Sequence, residues 1–342
     1  EERYAVDKTL TLPDDLDGYY AVIIYDMPAN RINNVQALAE FVTGGNGLFV
    51  IGGLSSFDRG GYKDSLFETL LPVYVGRGDK KRGDSNIVLV VDLSGSTAER
   101  TFEGSSTTPL EVEKAMVVDI IETLNLGNKV GVVVFAIPDG LGNMKAVKVS
   151  DVVPLAGNKD SLIDKVSRLQ GPGQSLFDLG LRGGYSLLKG VSGARNIIFM
   201  TDGGVNVYQP IKDSAEQITR RMNAEGIKVY TVGVGRNVDE EWLKKIAEIG
   251  QGLYFPASQK NRLKILFGDP EEKSMGDAFD LFVLNPYHFI TSGFEPQAVL
   301  YAYNQVIPKS MAKMLITTDN GEPAVTTWRY GLGRVTTLTV FS

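Results

Sequence analysis

Short runs of apolar residues alternate with amphipathic stretches through the middle of the chain. The segments "NIVLVVD" (86–92), "KVGVVVFA" (129–136) and "KVYTVGVG" (228–235) are typical of buried strands. Between the first two, "EVEKAMVVDIIETLNL" (111–126) places its apolar residues on one face of a helix. This alternation predicts a mainly parallel sheet with helices on both faces. We therefore expect a doubly wound, Rossmann-like α/β fold over residues 85–268.

Three further segments of this region give more specific expectations. The polar–apolar alternation of "KAVKVSDVV" (145–153) predicts a strand at the edge of the sheet. "KDSLIDKVSRL" (159–169) predicts a helix with an aspartate as its N-terminal cap, and "SAEQITRRMNAEG" (214–226) predicts another helix.

The two flanks of this region have a different pattern. Residues 1–80 contain two strand signals, "YAVIIYD" and "GLFVIGG", separated by the helical segment "VQALAEFVTGG". Residues 278–342 are rich in strand signals, with hairpin turns predicted at "TTDNGEPAVTTW" and "RYGLGRVTTL". Neither flank is a complete domain. We expect residues 1–80 and 278–342 to form one outer domain, in the second part truncated, into which residues 85–268 are inserted. In a doubly wound fold the first strand starts, and the last helix ends, on the same face, as insertion requires.

Composition narrows the classes of function. The 342 residues include 35 lysines and arginines against 41 aspartates and glutamates, for a net charge of −6. Such a balance argues against nucleic acid as a partner. Cysteine is absent, which excludes disulfides, thiolate metal ligands and a cysteine nucleophile.

The ends of the chain and its hydropathy bear on location. No apolar run reaches the length of about 18 residues that a membrane-spanning helix needs. The chain starts with "EERYAVDKTL" rather than Met or a signal peptide, and it ends within an alternating strand pattern. We expect it to be part of a longer protein, and any membrane anchor to lie outside it. The compartment is not fixed by the sequence.

Oxygen-bearing side chains follow two of the predicted strands. Asp92, Ser94 and Ser96 come directly after "NIVLVV", and Asp202 ends "NIIFMTD". A glycine-rich loop, "LQGPGQSL", delivers Ser175 to the start of a helix. Ligands of open α/β sheets bind beyond the carboxyl ends of the strands, so we expect these side chains to converge there. An oxygen-only set suits Mg²⁺, with Mn²⁺ and Ca²⁺ as alternatives. The ordinary alternative is that these residues cap local turns.

This pattern resembles the metal-ion-dependent adhesion site (MIDAS) of von Willebrand factor type A domains. The resemblance rests on Asp-x-Ser-x-Ser at 92–96, a hydroxyl in a glycine-rich loop, and Thr-Asp-Gly at 201–203. It implies that Ser94, Ser96 and Ser175 contact the metal directly, and that Asp92 and Asp202 hold it largely through water. The family normally has threonine at the loop position. The spacing to Gly180 and Leu181 points to Ser175, and Gln174 is the alternative.

The flanks show a looser resemblance to class I glutamine amidotransferase-like domains. It is carried by "YDMPANRI", "GLFVIGG", "SFDRGGY" and "WRYGLGRVTTLT". Active members use a cysteine, which this chain lacks, so the resemblance implies an inactive domain. A serine hydrolase would have to use Ser55 or Ser56 with His288, the single histidine, as its base.

The sequence therefore predicts a non-enzymatic, metal-dependent module for protein binding, adhesion or scaffolding that recruits an Asp or Glu of a protein partner. The resemblance favours the extracytoplasmic part of a membrane-anchored protein. The alternatives are an adaptor subunit of a chelatase or AAA+ type ATPase assembly and, third, a serine-dependent hydrolase.

Overall fold

The computed structural model describes the chain in segments that together cover most of its length. These are residues 4–76, 85–92, 109–138, 144–170, 176–201, 203, 207–234, 238–259, 261–268, 278–298 and 300–341. The chain divides into two compact units. The flanking unit consists of Glu1–Lys80 and Pro270–Ser342, and the central unit of Lys81–Asp269.

The described residues form strands and helices in both units. The strands are β1 (Ala21–Tyr25), β2 (Gly47–Ile51), β3 (Val73–Val75), β4 (Ser85–Asp92), β5 (Lys129–Pro138), β6 (Met144–Pro154), β7 (Ala194–Thr201), β8 (Ile227–Gly233), β9 (Gln251–Pro256), β10 (Leu281–Val283), β11 (Ala302–Tyr303), β12 (Val306–Pro308), β13 (Lys313–Thr318), β14 (Pro323–Tyr330), β15 (Gly333–Leu338) and β16 (Val340–Phe341). The α-helices are α1 (Val35–Thr43), α2 (Leu66–Leu70), α3 (Pro109–Thr123), α4 (Lys159–Ser167), α5 (Phe177–Leu188), α6 (Gln209–Ala224), α7 (Glu240–Ile249) and α8 (Asn261–Phe267). Short 3₁₀ helices span Ala29–Arg31 and Ala257–Gln259.

The central unit is built on one sheet whose described strands have the order β6-β5-β4-β7-β8-β9. All neighbours pair in parallel except β5 and β6, which are antiparallel. Strand β4 lies in the middle, and its side chains are buried on both faces. Leu89 and Val91 pack on the side of α3, α4 and α8, whereas Val88 and Val90 pack on the side of α5, α6 and α7. The doubly wound α/β fold predicted for this region is confirmed.

Two details of the predicted helices were wrong. Helix α4 has Asn158, not an aspartate, at its N-cap position. Asp160 lies in the first turn, where its negative charge interacts favourably with the helix dipole but does not cap the helix. Helix α6 begins at Gln209, before the predicted start at Ser214. Pro210 lies in its first turn, where the missing N–H costs no helical hydrogen bond.

The start and the end of the central unit meet at the amino edge of its sheet. The side chain of Asn128 accepts a hydrogen bond from the Ser85 amide (3.2 Å) and donates one to the Phe267 carbonyl (2.9 Å). Ser85 begins β4, and Phe267 ends α8. One buried asparagine therefore holds both ends of the unit together.

The flanking unit has its own sheet, whose described strands have the order β1-β2-β15-β14-β13-β10. Strands β1, β2 and β15 are parallel neighbours, and the others pair antiparallel. Strand β2 thus lies between a strand from the start of the chain and one from its end. Helices α1 and α2 pack on this sheet and form one hydrophobic core with it. This core buries Leu38, Leu48, Phe67 and Val335. Two strand pairs, β3 with β12 and β11 with β16, complete the strand pairing described for this unit.

Candidate metal site at the carboxyl edge of the central sheet

Asp92 is the last residue of β4, the central strand. It pairs in register with Phe135 on β5, and its side chain is fully buried. A buried carboxylate is costly unless hydrogen bonds or a cation compensate its charge. The position of Asp92 at the carboxyl end of parallel strands is where ligands of such sheets bind.

Thr201 supplies one of the hydrogen bonds to Asp92. It is the last residue of β7, the neighbour of β4, and it is also fully buried. Its Oγ1 donates to Oδ2 of Asp92 over 2.7 Å. The backbone amide of Gly203 donates in turn to the same Oγ1 over 3.1 Å. No separate role for Thr201 was predicted from the sequence. The available signal was a hydroxyl that ends a buried strand, directly before the aspartate of the Thr-Asp-Gly motif.

The remaining predicted ligands, Ser94, Ser96, Ser175 and Asp202, lie outside the described residues, as does the alternative Gln174. Of the five predicted ligands, the structure therefore describes Asp92. The residues next to two of the others are described: Gly203 follows Asp202, and Leu176 follows Ser175.

Helix α5 follows the predicted loop ligand and lies very close to the sheet. A Cβ atom at Gly180 would lie 2.4 Å from the ring of Phe135, and one at Gly184 would lie 2.7 Å from the side chain of Val90. Glycine at these positions lets the helix contact β4 and β5 directly. The start of α5, which comes just after Ser175 in the chain, is thereby fixed against β4, the strand that ends at Asp92, and against its neighbour β5.

An aromatic cluster packs beside β4 on the α5–α7 side of the sheet. Phe177 stacks on Trp242 at 4.8 Å, and Phe135 stacks on Phe199 at 5.6 Å. Phe177 also meets Phe199 edge-on at 5.6 Å. These contacts join the first turn of α5 to the first turn of α7 through one buried aromatic cluster.

Helices α6 and α7 are joined by an ion pair at their starts. The Lys212 ammonium lies 2.5 Å from Oδ2 of Asp239, and Oδ1 of Asp239 caps α7 through the Trp242 amide (3.1 Å). Lys212 is thus a largely buried cation with its own carboxylate partner. One turn before Lys212, Tyr208 is 71% exposed at the start of α6.

The donor chemistry at this edge fits a hard divalent cation. The carboxylate of Asp92 is oriented by the neutral hydroxyl of Thr201. Carboxylate and hydroxyl oxygens are suitable ligands for Mg²⁺. The described residues contain no group of three or more His, Cys, Asp or Glu side chains that could hold a metal ion. The predicted set is of a different kind, because only Asp92 and Asp202 among its five members are carboxylates.

In the flanking unit, the serines considered as nucleophiles have structural contacts. Ser56 is fully buried, and its Oγ accepts a hydrogen bond from the Gly53 amide over 2.8 Å. The amide of Ser55 donates to Oδ1 of Asp26 over 2.7 Å. His288 accepts a hydrogen bond at Nδ1 from the Ile290 amide over 3.3 Å. Burial and the bond to Gly53 make Ser56 unsuited to attack a substrate.

The family profile of the von Willebrand factor type A domain matches residues 86–268, more than half of the chain. The chain therefore belongs to the von Willebrand factor type A family. Domains of this family are typically protein-interaction and adhesion modules, and they commonly bind divalent metal ions.

Two curated proteins are similar to part of this chain. Mouse Matrilin-1 is 30% identical over 179 residues, which cover 48% of this chain and 31% of Matrilin-1. The uncharacterized protein YfbK of Escherichia coli K12 is 27% identical over 190 residues, covering 54% of this chain and 31% of YfbK. The chain thus spans about a third of the length of these relatives. Among solved structures, manganese-loaded TRAP protein of Plasmodium vivax matches with 15% identity and a TM-score of 0.41, covering 53% of this chain and 72% of that one.

None of the helices in the described part of the chain has the length and apolar character needed to cross a membrane.

Proposed function

We propose that the central unit binds Mg²⁺ at the carboxyl edge of its sheet and uses the bound ion to hold a carboxylate of a protein partner. The observation that carries the proposal is the buried pair of Asp92 and Thr201, in which two adjacent strand ends are hydrogen-bonded at 2.7 Å. Mn²⁺ and Ca²⁺ are alternative ions. The metal-holding residues are Asp92, Ser94, Ser96, Ser175 and Asp202, with Gln174 as the alternative to Ser175.

The proposed ligand set explains why the partner group is an anion. Three neutral hydroxyls in direct contact, with two carboxylates acting mainly through water, leave much of the charge of the cation uncompensated. Mg²⁺ in proteins usually keeps several water ligands, and a carboxylate oxygen is a better ligand than water. An Asp or Glu of the partner can therefore replace one water and anchor the interface.

Tyr208 extends the proposed binding surface beyond the metal. It lies at the start of α6, a few residues after Asp202, and most of its side chain is exposed. Tyrosine is enriched among the residues that contribute most to protein interfaces. We propose that the partner contacts Tyr208 beside the residue that reaches the metal.

The flanking unit is proposed to be an inactive relative of class I glutamine amidotransferases that carries the central unit. Its parallel β1, β2 and β15 with α1 and α2 support the relationship, and the absence of cysteine from the sequence supports the lack of activity. The whole chain is proposed to be a non-enzymatic binding module, and an extracytoplasmic part of a membrane-anchored protein.

Selection of peptides from a random displayed library tests this function. The library is panned on the chain in millimolar Mg²⁺, and bound phage are eluted with EDTA. Enriched peptides should share an Asp or Glu at one position, and they should not bind Asp202→Ala. They should bind Asp160→Ala as well as wild type, because Asp160 is an exposed carboxylate on α4, away from the proposed site. Enriched peptides without a shared acidic residue, or equal binding in EDTA, would contradict the proposal.

Tyr208→Ala should weaken binding of the same peptides without changing their release by EDTA.

A further inference from the structure

The hydroxyl of Thr201 is held in a fixed direction between two partners. The backbone amide of Gly203 can only donate, so Oγ1 of Thr201 accepts that hydrogen bond (3.1 Å). The single proton of the hydroxyl is then directed to Oδ2 of Asp92, 2.7 Å away. The result is a short chain of donors that runs from Gly203 through Thr201 to the carboxylate.

The position of this hydroxyl is set by the sheet. Thr201 pairs in register with Gly233 on β8, and its carbonyl accepts a hydrogen bond from the Val234 amide over 2.9 Å. Its side chain is fully buried, and a β-branched residue has few χ1 rotamers available. The hydroxyl therefore has little freedom to turn away from Asp92.

The same hydroxyl bridges two parts of the chain. It contacts the side chain of Asp92 directly, and it holds the amide of Gly203, the residue that follows Asp202. The carboxylate of Asp92 and the backbone amide of Gly203 therefore share the Thr201 hydroxyl as a hydrogen-bond partner.

We propose that Thr201 is a positioning residue of the metal site, which orients Asp92 through its side-chain hydroxyl without contacting the ion itself. This inference rests on the proposed function. Groups that orient metal ligands by hydrogen bonds typically change metal affinity by about 10–100-fold when they are removed. We expect an effect of that size from loss of the Thr201 hydroxyl.

The test is a calorimetric titration of the full chain with Mg²⁺. Thr201→Val keeps the shape of the side chain and removes the hydroxyl, and it should weaken Mg²⁺ binding by about 10–100-fold. Thr201→Ser restores the hydroxyl and should bind with an affinity close to wild type. Thr231→Val is the matched control, because Thr231 on β8 is also fully buried and donates to the Leu243 carbonyl over 2.9 Å, away from Asp92. Melting curves without metal show whether each variant is folded, and Thr201→Ala replaces Thr201→Val if the latter does not fold.

Each outcome is decisive. Weaker binding in Thr201→Val, with wild-type affinity in Thr201→Ser and Thr231→Val, supports the positioning role. Wild-type affinity in Thr201→Val overturns that role and leaves the proposed metal function intact. Equal weakening in Thr201→Ser and Thr201→Val overturns it as well, because the hydroxyl is then not the cause. Absence of Mg²⁺ binding by the wild type overturns both the function and the inference.

Discussion

The side chain of Asn128 stabilises the central unit by hydrogen bonds to two separate segments of the chain. It is buried at the amino edge of the sheet, where its amide joins the start of β4 to the end of α8. Removing one partner of a buried hydrogen bond leaves the other unsatisfied, which typically costs about 1–3 kcal/mol. Two backbone groups, on Ser85 and Phe267, lose a partner together.

We expect Asn128→Ala to lower the free energy of unfolding of the central unit by about 2–4 kcal/mol, because it removes one buried and one partly buried hydrogen bond. Urea unfolding followed by circular dichroism measures the change. Asn158→Ala is the control, because the Asn158 side chain makes one exposed hydrogen bond to the Pro154 carbonyl. Equal stability of Asn128→Ala and wild type would show that the two ends are held by other contacts.

Tyr230 gives the central unit a dependence on alkaline pH. It packs on the rings of Phe255 and Phe267, and burial raises the pKa of Tyr230 to about 12. The unfolded chain, with a tyrosine pKa near 10, loses the proton first as the pH rises. Tyr230 therefore stabilises the fold fully below about pH 10, and this contribution declines as the pH rises from 10 towards 12.

The expected decline is about 1.4 kcal/mol per pH unit in this window. Tyr230→Phe keeps the ring and removes the ionisable hydroxyl, so its stability should fall less steeply than that of wild type above pH 10. The urea midpoints of both proteins, at one pH below about 10 and one pH above it, measure this difference in slope. Parallel curves for the two proteins would contradict the assignment.

At the scale of elements, the approach of α5 to the sheet depends on glycine. A Cβ at Gly180 would come within 2.4 Å of the buried ring of Phe135, so the ring or the helix must move. Such overpacking costs typically about 1–3 kcal/mol, against a gain in helix propensity of at most about 1 kcal/mol for alanine. The start of α5 would shift with the helix.

Gly180→Ala should therefore destabilise the chain by about 1–2 kcal/mol in thermal or urea unfolding. A smaller side chain at position 135 should relieve the clash. The double variant Gly180→Ala with Phe135→Leu should then be more stable than the sum of the two single changes predicts. Strict additivity would show that the helix does not press on Phe135.

Most elements of the central unit could be predicted from the sequence, because their signals are local. The apolar run ending at Asp92 predicts a buried strand, and the edge position of β6 follows from its alternation. Helix α6 begins before its predicted start. Proline in the interior of a helix breaks it, but Pro210 lies in the first turn, where proline is tolerated. The hydrogen bond between Thr201 and Asp92 joins residues 109 positions apart in the chain. It forms because β4 and β7 are neighbours in the sheet, and a local sequence pattern does not predict which strands are neighbours.

At the scale of the whole molecule, the two units differ in how they use the chain. The central unit is continuous, from Lys81 to Asp269, whereas the sheet of the flanking unit draws on both ends of the chain. Strand β2 needs β15 as its second neighbour, and Val335 on β15 completes the core around Leu48.

We expect residues 81–269 to fold alone, and residues 1–80 alone to remain unfolded because they lack β15. Thermal melts followed by circular dichroism test both fragments. Co-expression of residues 270–342 with 1–80 is the control, and it should restore a cooperative transition. A soluble 1–80 fragment that melts cooperatively would contradict this division.

The proposed metal site is tested most directly by measuring whether the chain binds Mg²⁺ at Asp92. Thermal melts of wild type, Asp92→Ala, Ser96→Ala and the control Asp160→Ala are compared with and without the ion. At a concentration about 100 times the dissociation constant, an ion that binds the folded state stabilises it by about 2.7 kcal/mol. We expect this increase in melting temperature for wild type and Asp160→Ala, and its loss in Asp92→Ala and Ser96→Ala. A wild-type melting temperature that does not respond to millimolar Mg²⁺, or an increase that survives in both site variants, would contradict the account.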